Sequence, residues 1–178
     1  MEKMTTSKRS WMDPLQQNLQ RLVNHKLKPR IAILGVGNEL RGDDGIGPEV
    51  VRALRSPLAG RKNFFLADTG PAPENFTGAI RRFAPDMILL IDAAALYGEP
   101  GSIYWIDWGE ASGFSASSHT LPLSILVEYL TAELGCEAFL LGIQPEATTL
   151  GASLSKPAEI AKDILVQALT ETLIPLSS

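Results

Sequence analysis

At 178 residues, 45% of them apolar, and with a net charge of −4, the chain has the size and make-up of one domain that buries a core without disulfides. The acidic balance argues against nucleic acid as a partner, and no apolar run reaches the roughly 20 residues needed to insert into a membrane. Cys136 is the only cysteine, which excludes an internal disulfide or a cysteine-based metal cluster and favours a cytoplasmic setting.

Charge divides the chain. Residues 1–30 carry seven Lys/Arg against two Asp/Glu, and the rest carries nine against eighteen. The first unit is therefore a basic N-terminal extension, 1–29, ahead of a compact acidic domain, 30–178. Within the extension, Leu15, Leu19 and Leu22 fall on one side of a short helix over Pro14 to Val23. That helix either docks on the body or belongs to a loose leader.

The body alternates strands and helices. Ile31–Val36 reads as a strand, and Ile46–Leu54 as a helix with Ile46, Val50, Ala53 and Leu54 facing inward and Pro48 in its first turn. Asn63–Ala67 is a second strand and Glu74–Phe83 a short helix. Met87–Ile91 is wholly apolar, as a strand covered on both faces must be, and ends at Asp92. Ser102–Trp108 reads as an edge strand, antiparallel to its neighbours. Leu123, Leu126, Val127, Leu130 and Leu134 form a helical stripe, Ala138–Ile143 another buried strand, and Pro157–Leu173 a final helix marked by Ile160, Ile164, Leu165, Ala168 and Leu169. The pattern predicts an α/β fold: a three-layer α/β/α domain with a twisted mixed sheet of about five strands. Residues 93–101 and 109–118 read as mobile surface loops, rich in Gly, Pro and Ser.

The first strand leads into Gly35-Val36-Gly37-Asn38-Glu39-Leu40-Arg41-Gly42-Asp43-Asp44-Gly45. The loop lacks a Gly-Lys-Ser/Thr sequence and the spacing of a dinucleotide fingerprint, and its two acids would repel a phosphate. No organic cofactor is expected. Asp92, at the end of a buried strand, either caps the backbone donors of Ala93 and Ala94 or serves as a metal ligand or acid–base group. His119 precedes Thr120-Leu121-Pro122, a helix-start signature. One imidazole with two carboxylates from distant segments suits a divalent metal such as zinc, manganese, iron or nickel, and spacing does not choose among them. His25, in the basic leader, is a poorer candidate. Ser117 and Ser118 adjoin His119 without a Gly-x-Ser-x-Gly elbow, so metal-assisted hydrolysis is favoured over a covalent serine mechanism. A non-enzymatic metal-binding module is the rival.

From Arg30 to Leu173 the chain resembles the hydrogenase maturation endopeptidases. The resemblance rests on the segment Gly35–Gly47, on Ala72-Pro73-Glu74-Asn75, on the strand ending Asp92-Ala93, on His119-Thr120-Leu121-Pro122, and on Leu141-Gly142-Ile143-Gln144-Pro145. The Asp-Asp form of the loop is most similar to the hydrogenase 3 branch. The resemblance implies a protease that removes the C-terminal peptide of an immature nickel-iron hydrogenase large subunit. It also implies that nickel, contributed by the bound substrate, is engaged by Asp44, Asp92 and His119. Gly35, Gly37, Asn38, Gly42, Asp43 and Gly45 then shape the loop, Asp43 orienting it or meeting a basic substrate end. Trp105, Trp108 and Phe114 are expected to supply apolar contacts to that peptide, with filling the core the alternative for Trp105. The expected alternative is a metallochaperone that only recognises the nickel site, and the expected state is a monomer.

Overall fold

The computed structural model describes residues 11–108 and 123–177. Five strands, β1 (Ile31–Val36), β2 (Phe64–Gly70), β3 (Met87–Ala93), β4 (Ile103–Asp107) and β5 (Glu137–Ile143), form one sheet in the order β2-β1-β3-β5-β4. The β2–β1, β1–β3 and β3–β5 pairs are parallel, and β4 returns antiparallel along β5. Five helices, α1 (Met12–His25), α2 (Ile46–Leu54), α3 (Thr77–Phe83), α4 (Leu123–Leu134) and α5 (Lys156–Leu173), cover it. The result is the expected three-layer α/β/α domain.

Both faces of the sheet are buried, which explains the uninterrupted apolar runs. Successive residues of a strand point to opposite faces. Ile31, Ile33, Leu89, Ile91 and Leu141 therefore join one core with α1, α2 and α5, while Ala32, Leu34, Ile88, Leu90 and Leu140 join a second with α3 and α4. The leader helix is docked: Trp11, Leu15 and Leu19 are buried in the first core. Arg21 pairs with Glu137 and Lys26 with Asp86 at its end, but exposed pairs of this kind add little. Apolar burial holds α1 in place.

Several elements depart from expectation. β2 runs past the expected end at Ala67 through Asp68-Thr69-Gly70, because Val36 pairs with Gly70 across a register shift and Thr69 Oγ1 donates to the Gly35 carbonyl at 2.9 Å. A 3-10 turn at Pro73–Phe76 precedes α3, so the helix is shorter at its start than Glu74–Phe83. On α5 the buried side is Ala158, Ala161, Leu165, Ala168, Leu169 and Leu173, whereas Ile160 and Ile164 are half exposed. Helix α5 packs over α2, and three of its six buried residues are alanine. Ala53 of α2 is likewise exposed, and Val51 is buried in its stead.

The order of strands creates a site by topology. β2 and β3 lie on opposite sides of β1, and α2 and α3 lie on opposite faces of the sheet. A crevice opens at such a switch point, above the C-terminal ends of β1 and β3. Helix α2 enters it with little clearance: a Cβ added at Gly47 would overlap the carbonyl oxygens of Ile91 and Val36. Both obstacles are backbone. Gly47→Ala should therefore cost about 2–3 kcal/mol and lower the melting temperature by about 5–10 °C in thermal unfolding.

Candidate functional site

The loop after β1 turns at Gly37, whose φ of 129° lies in the region that favours glycine. A 3-10 turn at Gly42–Gly45 then carries the two acids. Successive residues of such a turn diverge by about 120°, so neighbouring aspartates have different fates. Asp43 is 1% exposed and points into the protein. Its carboxylate accepts from Ser155 N at 2.6 Å, Glu146 N at 2.7 Å, Ser155 Oγ at 2.8 Å and Ala147 N at 3.3 Å. Burial works to raise its pKa, but these donors outweigh it and hold the group below the ordinary value of 3.8. Asp43 thus fastens the loop to the segment between β5 and α5, and its burial removes it from contact with a substrate end.

Asp44 turns the other way and is half-buried. Its Oδ2 accepts from Asn38 N at 2.8 Å, while Asn38 Oδ1 accepts from Leu40 N at 3.0 Å. Gly35, Gly42 and Gly45 pack against the backbone of Gly47, Ala147 and Glu39, in keeping with a loop-shaping part.

Asp92 lies inside β3 rather than beyond it, opposite Gly142 of β5, and is 0% exposed. The capping alternative does not hold for Ala94, whose N–H donates to the Ile143 carbonyl at 2.9 Å. A Cβ added at Gly37 would overlap the Asp44 carbonyl oxygen and lie 3.6 Å from Asp92 Oδ1. The backbone of Asp44 and the carboxylate of Asp92 thus both border Gly37. His119 and Phe114 lie outside the described residues. Helix α4, which follows His119 in sequence, runs back to β5 through Gly135-Cys136, so its start faces the C-terminal edge of the sheet. Among the described residues, no group of three or more His, Cys, Asp or Glu is placed to hold a metal ion. His25 ends α1 beside Lys26, which pairs with Asp86 ahead of β3, at the opposite edge.

The walls of the crevice are tied together by residues whose role is not readable from spacing. Gln144, just past β5, accepts at Oε1 from Leu96 N at 2.7 Å and from Gly98 N at 3.3 Å. Gly101 N donates to the Gln144 carbonyl and Gln144 N to that of Ser102. Of residues 93–101, expected to be mobile, Ala93 belongs to β3 and the rest are clamped by one side chain and its backbone. Ser155 joins Asp43 to α5, whose N-terminus it caps by accepting from Ala158 N. The Ser-Lys-Pro start of that helix is the signal that locates this residue. Trp105 stacks on Phe139 at 4.6 Å between ring centroids, and Trp108 packs against the second core. Neither is a free wall of the crevice. A cleft of about 380 Å³ flanks the loop, lined in part by Glu39, Leu40, Glu49, Glu159 and Lys162.

Asp92, buried, and Asp44, half-buried, both stand at this edge of the sheet. Such a pair can ligate a divalent cation or take a proton from water.

The profile of a family described as "HycI: Hydrogenase maturation protease" matches residues 48–172. The hydrogenase 3 maturation protease of Escherichia coli is 36% identical over 138 residues, which cover 77% of this chain and 86% of that protein. Among solved structures, the [NiFe] hydrogenase maturation protease HycI from Thermococcus kodakarensis superposes with a TM-score of 0.78 at 31% identity, covering 88% of this chain and 99% of that one. The solution structure of the endopeptidase HycI from Escherichia coli gives a TM-score of 0.70 at 34% identity, covering 80% of this chain and 90% of that one.

Proposed function

The chain belongs to the hydrogenase maturation protease family, on its hydrogenase 3 side, and is an endopeptidase that processes the nickel-iron hydrogenase large-subunit precursor; from that premise we propose that it removes the C-terminal peptide of the nickel-loaded precursor, using Asp44, Asp92 and His119. The observation that supports this reading is that Asp44 and Asp92 lie at the same edge of the sheet, the backbone of the one and the carboxylate of the other both bordering Gly37. Carboxylate and imidazole donors suit nickel as well as other divalent ions. Nickel here is part of the substrate, and its charge would favour the oxyanion that develops on the scissile carbonyl. Asp44, the open acid, is the group to receive a proton from the attacking water. That water adds to the carbonyl carbon, the C–N bond breaks, and the proton passes to the leaving amine. Asp92, fixed in a strand, holds its ligand position without reorganisation.

Residues 30–178 form the catalytic domain in this reading, with α1 as a buttress from the extension. Among the described residues no helix is long and apolar enough to cross a membrane. We place the reaction in the cytoplasm and in a monomer, a reading supported by the lone Cys136 and by a crevice built within one chain.

The test is intact-mass measurement of purified precursor, nickel-loaded or nickel-free, after incubation with the protein. A single mass loss from the C-terminus of the loaded form alone is expected. Equal cutting of both forms would remove nickel from the recognition step. Nickel-dependent complex formation without mass loss would leave binding but no cleavage.

A further inference from the structure

Among the described residues the most exposed large apolar side chains are Tyr97 at 101%, Leu27 at 97%, Leu150 at 69% and Leu40 at 63%. Three of the four stand on loops that follow β1, β3 and β5, at the edge that carries Asp44 and Asp92. Scattered apolar residues on a surface need no explanation, but a gathering at one edge does.

Tyr97 is the most telling of them. Its φ of 57° is left-handed, a conformation that costs a non-glycine residue about 1–3 kcal/mol and persists only where the surroundings enforce it. Enforcement comes from Gln144, which accepts from the amides on both sides of Tyr97, Leu96 N and Gly98 N. Leu96 is buried beneath the turn. Gly98 sits so close to the Tyr104 hydroxyl that an added Cβ would overlap it. One residue is driven in, the next is held out, and the ring is presented to solvent on a fixed backbone.

Leu40 and Leu150 are fixed in a similar way. Gly151 N donates to the Leu40 carbonyl at 2.7 Å, and Gly42 N to that of Ala152 at 3.1 Å, joining the two loops. Apolar groups presented on rigid backbone lose little conformational entropy when they bind, and tyrosine is enriched among residues that dominate binding energy.

We infer that Tyr97, Leu40 and Leu150 form a preset docking rim that receives an apolar surface of the large-subunit precursor beside the segment to be cut. The inference rests on the endopeptidase reading above and names the contact by which that substrate is held.

A photo-crosslinking residue, p-benzoylphenylalanine, at position 97 tests contact independently of cleavage. The control carries it at position 27, where Leu27 is as exposed but lies between α1 and the start of β1, at the other edge. Irradiation with nickel-loaded precursor should yield a crosslinked protein–precursor species from position 97 and none from position 27. Equal crosslinking at both positions, crosslinking only to a second copy, or none at all would overturn the rim. In steady-state cleavage, Tyr97→Ala should raise KM about tenfold or more with kcat within about twofold, and Tyr97→Phe should restore it. An unchanged KM for Tyr97→Ala overturns the rim even where cleavage is normal. If the unaltered protein cuts nothing, the endopeptidase reading fails, and the crosslink alone still decides the rim.

Discussion

Asp92→Asn should yield a folded protein that no longer trims its precursor. Asn keeps the shape of the side chain and surrenders only its charge. Asp92 is 0% exposed within a strand covered on both faces, a place where an ionised carboxylate carries a desolvation penalty. A residue kept there for stability alone would be expected to weaken the fold when replaced. A residue kept for its charge should lose function while the melting temperature holds or rises. We expect precursor cleavage, read by intact mass, to fall at least about 100-fold, with stability within about 1 kcal/mol. Asp44→Asn should behave alike in cleavage, because Asn38 N still finds an acceptor oxygen at position 44. Full cleavage by either variant would refute the assignment of that residue.

Asp43, one residue away, should show the reverse balance. Its carboxylate gathers four donors from Glu146, Ala147 and Ser155, and Asp43→Ala leaves all of them without that acceptor in a closed space. Each orphaned donor costs about 1–3 kcal/mol in full, so a total of about 3–5 kcal/mol is expected after local relaxation. Urea unfolding would measure it. Asp43→Asn turns an NH2 towards these donors and should recover only part of the loss. The pH dependence has a fixed sign. Because the folded-state pKa lies below 3.8, the group's contribution is complete above that value and is lost as pH falls through the folded-state pKa. Asp43→Asn should therefore flatten the acid limb of the stability curve. An unchanged midpoint in Asp43→Ala would show that the staple is dispensable.

These opposite expectations mark where sequence reasoning reaches and where it stops. Strands β1, β3 and β5 are legible because burial on two faces demands unbroken apolar runs, and Asp92 stands out as a charge set against one of them. The loop after β1 is legible as a site because its glycines and acids follow a strand. Asp43 and Asp44 are chemically identical neighbours, however, and only the segment 146–155, over a hundred residues away, separates their roles. Gln144 is visible within its motif, but its clamp on Leu96 and Gly98 depends on a contact across the sheet edge. Ile160 and Ile164 mislead because helical periodicity does not say which side of α5 meets the core, and the buried side is that of Ala158, Ala161, Leu165, Ala168, Leu169 and Leu173. The α1 helix was open to two readings because three leucines at helical spacing do not state whether a surface awaits them.

Fastening Asp43 into the β5–α5 segment has a consequence for how the partner must behave. The loop that bears Asp44 is held by bonds on its inner side, and the opposite wall is held by Gln144, so neither wall has slack to close over a guest. Adaptation then falls on the incoming tail, which has to thread and order itself against an unyielding frame. The entropy lost in that ordering belongs to the precursor, and a tail already packed into its own mature fold would be refused for want of freedom. In the proposed reading, the timing of the cut would be set by the state of the substrate rather than by motion of these two walls.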